Sequence, residues 1–107
     1  MHPFLVHALR LAGHLPGLEH DEHRLTVRGK IVANLCREPG ALSTHCPLDI
    51  RDVLLGAEPE HFYITDHFRN WPAILVRMET VPDDLLANRL RAAWEVRAPR
   101  ALVRMLR

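Results

Sequence analysis

Four arginines near the end of the chain, Arg97, Arg100, Arg104 and Arg107, recur at intervals of three, four and three. On an unbroken helix that spacing lines them along one face. Each guanidinium carries a permanent charge and paired donors, which suits phosphate oxygens. All four on DNA phosphates would give a slope of roughly −3.6 in log K against log salt, at about −0.9 per neutralised phosphate. The same row also describes a solvated arginine face opposite a Leu102/Leu106 stripe.

A second group of chemically useful side chains lies at Asp66–Pro72, where His67, Phe68, Arg69, Asn70 and Trp71 stand together. Aromatic faces, a cation and an amide can stack on a base or grip a small ligand, with His67 and Trp71 as the stacking candidates. The simpler reading folds Phe68 and Trp71 back as local core and leaves Arg69 and Asn70 to shape the turn. Arg28 and Lys30 flank a glycine turn elsewhere. With Arg69 they would make a two-pronged basic grip.

Eight histidines raise the question of a metal, and the run Glu19–His23, EHDEH, holds several potential ligands. Neighbouring loop residues rarely converge on one point at metal-ligand distance, and no HExxH or CxxC spacing is present. No metal or other cofactor is expected. Cys36 and Cys46 flank Pro39-Gly40. A symmetric two-residue turn there would set Ala33 opposite Cys46 and Cys36 opposite Ser43, with the sulfurs on opposite faces of the sheet. Small core thiols are therefore expected. No GxSxG, P-loop, dinucleotide or zinc signature supports an enzyme.

The elements that must position these groups follow from periodicity. Phe62–Met78 reads as strand, irregular loop and strand, a wide hairpin in which Ile74, Val76 and Met78 form an apolar face. Before it, His2–Leu15 predicts an amphipathic helix stopped by Pro16-Gly17, and Glu19–His23 a surface loop. Leu25–Val27 and Ile31–Cys36 predict a hairpin about Arg28-Gly29-Lys30, and Ala41–Cys46 the strand that returns. Asp49–Ala57 predicts a short helix with Ile50, Val53 and Leu54 inward. Thr80–Asp83 resembles a capping box, opening a helix that buries Leu86, Leu90, Ala93 and Trp94. Pro99 kinks or restarts that helix, and a last one turns Ala101, Leu102, Met105 and Leu106 inward. The expectation is an α+β domain over residues 1–107, with an antiparallel sheet of about five strands and N-terminal, short middle and C-terminal helices packed on it.

Composition agrees with one globular domain: 107 residues, 48% apolar and 25% charged. Charge is uneven. Residues 89–107 hold six arginines and one acid, a balance of +5, against 8 basic and 12 acidic side chains elsewhere, a balance of −4. A basic end suits an anionic partner such as nucleic acid. No apolar run is long enough for a membrane, and the punctuated N-terminus is unlike a signal peptide, so a cytosolic protein is expected.

LPG at Leu15–Gly17, VRGKIVANL at Val27–Leu35, the wide hairpin with WPAILVRME at Trp71–Glu79, and AWEVRAPRALV at Ala93–Val103 resemble the MmcQ/YjbR family. The resemblance implies a small α+β fold, similar in outline to frataxin-like domains. It also implies a DNA-binding role through a double-wing arrangement of hairpins, and it brings no enzymatic activity with it as an expectation. Between Leu18 and Leu25 the chain is shorter than family members often are. DNA contact is expected from Arg28, Lys30, Arg69, Arg97, Arg100, Arg104 and Arg107. The alternative is a non-enzymatic adaptor or small-ligand module with a pocket beside the 66–72 loop. A second copy of the chain is the expected cover for an exposed strand edge.

Overall fold

The continuous apolar run in Ala73–Arg77 makes β6, which pairs on both sides, with β4 (Ala41–His45) and with the short β5 (Phe62–Tyr63). The computed structural model, which describes residues 1–106, continues the sheet from β4 through β3 (Lys30–Leu35) and β2 (Arg24–Val27) to β1 (Leu18–His20). The order is β1-β2-β3-β4-β6-β5, every pair antiparallel. Ile74 and Val76 face Thr44 and Leu42 across the ladder and join the core. Helices α1 (Pro3–Ala12) and α3 (Asp83–Arg97) cover that face, and α2 (Leu48–Ala57) packs on β5 and β6. A five-residue α4 (Arg100–Arg104) follows. No helix among the described residues is long and apolar enough to cross a membrane.

The sheet thus has six strands where about five were expected. The addition is β1, which takes in Glu19 and His20 from the supposed loop and pairs Leu18 with Val27. An edge strand with exposed side chains carries no burial signal, so its composition reads as loop. The Asp21 carboxylate closes the turn by accepting from the backbone N–H groups of His23 and Arg24 at 2.7 and 3.0 Å. Next along the sheet, Arg28 and Gly29 take φ +51° and +79°, the left-handed pair of a two-residue hairpin turn. Between β3 and β4 the register is Ala33 with Thr44 and Asn34 with Ser43, two residues from the expected pairing. Cys36 and Arg37 stay unpaired before the Glu38–Ala41 turn closes. Cys36 is half-buried, Cys46 buried, and both are free thiols.

The helices depart from their predicted faces where arginine turns inward. In α2 the buried side chain is Arg51, while Val53 is 66% exposed and Ile50 is also out. The hydrogen bonds of Arg51, described below, set that rotation. Pro82, not Thr80, precedes α3, and no side chain caps it; Asp83 and Asp84 complement the helix N-terminus instead. Trp94, fully buried, donates its indole N–H to the Pro16 carbonyl at 2.9 Å and ties α3 to the turn after α1. α1 itself ends at Ala12 rather than Leu15. In the last helix Leu102 is buried and Val103 half-buried, but Ala101 and Met105 face outward.

Candidate functional site

The antiparallel register gathers three segments at one end of the sheet. The Arg28-Gly29 turn delivers the chain into β3, which runs antiparallel to β4; His45 at the end of β4 faces Ala73 at the start of β6. β3 begins, β4 ends and β6 begins on that side, so the Arg28 turn and the 66–72 loop project from the same end. The last helix joins them. A Cβ on Gly17, which has φ +73°, would stand 2.6 Å from Leu102 Cδ1 and 3.6 Å from Val27 Cγ2. Glycine therefore lets Leu102 of α4 seat beside the last residue of β2, next to Arg28.

Arg28, Lys30, Arg100 and Arg104 are exposed and, among the described residues, none is ion-paired. Arg69 is different: it donates to Asp66 Oδ1 at 2.7 Å. Arg97 is also set apart. α3 ends there, Ala98 is extended with ψ 146°, and α4 starts afresh at Arg100. The continuous arginine row is broken because a residue preceding proline avoids the helical region. Arg107 lies outside the described residues.

Arg97 is half-buried, its Nε has no hydrogen-bond partner, and it lines a cavity of about 380 Å³. The cavity floor is the sheet face turned away from α1 and α3. Asn34 and Ser43, which face each other, and His45 and Ala73, which also do, supply it. The wall is the 66–72 loop, with His67, Phe68, Trp71 and Pro72. Trp71 is 61% exposed, so it does not fold back as core; Phe68 is half-buried, with the His67 ring edge-on to it. Among the described residues, no carboxylate lines the cavity.

Arg51 explains the shape of this wall. Its Nη1 donates to the carbonyls of Phe68, Trp71 and Ala73 at 2.9, 2.7 and 3.3 Å, and its Nη2 to that of Arg69 at 2.7 Å. One guanidinium thus reaches three carbonyls of the irregular loop and that of Ala73, the first residue of β6. Arg89 is buried too, with a single 3.4 Å contact to the His45 carbonyl. Neither arginine has a carboxylate partner among the described residues. Burial, then the cations of Arg97 and Arg89, push the His45 pKa down and favour the neutral ring. Burial likewise raises the Cys46 thiol and holds it protonated.

The EHDEH histidines are exposed on the β1–β2 hairpin and are not gathered into a cluster. Among the described residues, the acid and histidine side chains that do converge are Glu58, Glu60 and His61, with ligand atoms within 4.8 Å of one another. Arg51, Arg89 and His45 escaped the sequence reading, yet a signal was present. Arg89 and Arg97 continue the spacing of Leu86, Leu90, Ala93 and Trp94 along the buried face of α3.

A model of the YjbR family matches residues 13–96. The uncharacterized proteins Mb2600 of Mycobacterium bovis and Rv2570 of Mycobacterium tuberculosis are each 33% identical to the chain over 54 residues. That overlap covers 50% of this chain and 42% of each relative. No solved structure matches the chain significantly.

Proposed function

The chain belongs to the YjbR family, and from that premise we propose that it is a cytosolic, non-enzymatic protein that binds duplex DNA weakly and without strong sequence preference. The observation that carries this reading is the common placement of the Arg28 turn, the 66–72 loop and α4 at one end of the sheet. Two projections from a single sheet end, with a basic helix beside them, suit a double-wing grip on a duplex. Arg28, Lys30, Arg100 and Arg104 supply the phosphate contacts, because among the described residues no acid neutralises their charge. Phosphate contacts hold a protein on DNA without reading its sequence.

Titrating a labelled blunt duplex at several salt concentrations tests the reading. Four contacts give a slope of roughly −3.6 in log K against log salt. Arg100→Glu combined with Arg104→Glu abolishes binding and leaves the thermal melt nearly unchanged, since both side chains are exposed. Absence of binding at low salt, or binding indifferent to the double substitution, overturns it. The cavity beside Trp71 favours a second reading, a small-ligand module, which would then stand alone.

A further inference from the structure

We infer that the cavity between the two projections receives a single unpaired nucleotide of the bound DNA, its base against Trp71 and its phosphate on Arg97. This rests on the DNA-binding reading and adds a preference that phosphate contacts alone do not give.

The cavity joins the two features such a ligand needs. On one side stand Trp71 and Phe68, with the Trp71 ring mostly exposed; base–aromatic stacking is tolerant of base identity because every base offers a π-face. On the other stands Arg97, with an unpartnered buried Nε and no acid near it in the lining. A guanidinium with a free fork fits a phosphate. Between them the floor carries polar groups for a base edge. Asn34 uses its amide nitrogen on the Leu35 carbonyl, which leaves its side-chain oxygen as an acceptor, and Ser43 offers a hydroxyl.

Two further observations support this assignment. Arg51 and Arg89 are each 5% exposed and, among the described residues, lack carboxylate partners, so positive charge is held in poorly solvated places, behind the wall at Arg51 and against the His45 carbonyl at Arg89. Fields of this kind are weakly screened by salt. The aromatic wall is also held in place before any ligand arrives, by the Arg51 bonds to its carbonyls. A rigid wall loses little entropy on stacking. The volume of about 380 Å³ lies at the small end of ligand pockets, enough for one nucleotide and not for a paired step. A base in a duplex cannot reach it, because the base is stacked and paired; an extrahelical one can.

The test compares a blunt duplex with the same duplex carrying one bulged adenine, and with one whose bulge lacks the base. The adenine bulge is expected to bind about tenfold more tightly than the other two, as one base–aromatic stack provides. It should also quench Trp71 emission over the constant background of buried Trp94. Trp71→Ala, at an exposed position that folding tolerates, should bring the ratio of bulged to blunt affinity to about one, and Arg97→Gln should lower it. Equal affinity for the adenine bulge and the blunt duplex overturns the inference while leaving DNA binding intact. So does a preference that survives both substitutions. Failure of all three duplexes to bind at low salt removes the DNA-binding reading itself, and the inference with it.

Discussion

The guanidinium of Arg51 holds the Trp71 carbonyl at 2.7 Å while the Trp71 indole stands outside the fold. Backbone and side chain of one residue are thus divided between two tasks, the first structural and the second open to a ligand. Arg51→Met keeps the length of the side chain and removes its donors. Its bonds to four carbonyls are then lost, and stability should fall by about 3 kcal/mol, the scale of hydrogen bonds to a buried charge. Chemical denaturation measures this. A loss confined to a few tenths would show the loop to be held by other contacts.

Asp66 neutralises the one cation on the outer part of the 66–72 loop. Asp66→Asn should release Arg69 to the DNA, tightening binding about threefold and steepening the salt slope by about 0.9. The ion pair is exposed, so the melting temperature should hardly move. An unchanged slope would mean that Arg69 lies beyond reach of the phosphates.

Gly17→Ala alters no charge. A left-handed φ costs a non-glycine residue roughly 1–2 kcal/mol, and the new Cβ would press on Leu102 Cδ1. Leu102 can yield only by moving α4 or changing rotamer, and moving α4 displaces Arg100 and Arg104. Stability should fall by about that amount, and affinity for duplex DNA should weaken about threefold. If affinity holds while stability drops, the position of α4 is immaterial to binding.

His45 makes stability depend on pH in a definite direction. Its pKa in the fold lies below the ordinary 6.5, through burial and the cations of Arg97 and Arg89. The unfolded chain therefore takes up the proton first as pH falls. The contribution is fully present above pH 6.5 and is lost as pH drops from there through the folded value. Denaturation at pH 7.5 and at pH 5 should show a smaller loss in His45→Gln than in the natural chain. Equal losses would assign the acid sensitivity to other groups.

Most of the architecture can be read from apolar periodicity, because the helices α1 and α3 and the strands β2, β3, β4 and β6 each bury a regular face. Glu19 and His20 hide β1, since an edge strand that buries neither side chain has no pattern to show. The cavity is hidden for a different reason. Arg51 sits at helical spacing with Leu54, Leu55 and Glu58, all half-buried, yet an arginine on a short helix reads as its solvent side. Only its bonds to carbonyls 17 to 22 residues away reveal that it points inward. The basic end was legible as composition. Its division into exposed Arg100 and Arg104 and inward Arg97 depends on one extended residue before Pro99.

The outermost strands of the sheet have three residues on one side and two on the other. Unpaired backbone at a sheet margin is the usual template for fibrils and domain swapping, and margins this brief give an incoming strand very few rungs to grasp. Unfolding intermediates aside, concentrated solutions of this protein should resist cross-β growth. Any self-association would have to proceed through side chains, for which the outward Leu48, Ile50 and Val53 of α2 offer the apolar material.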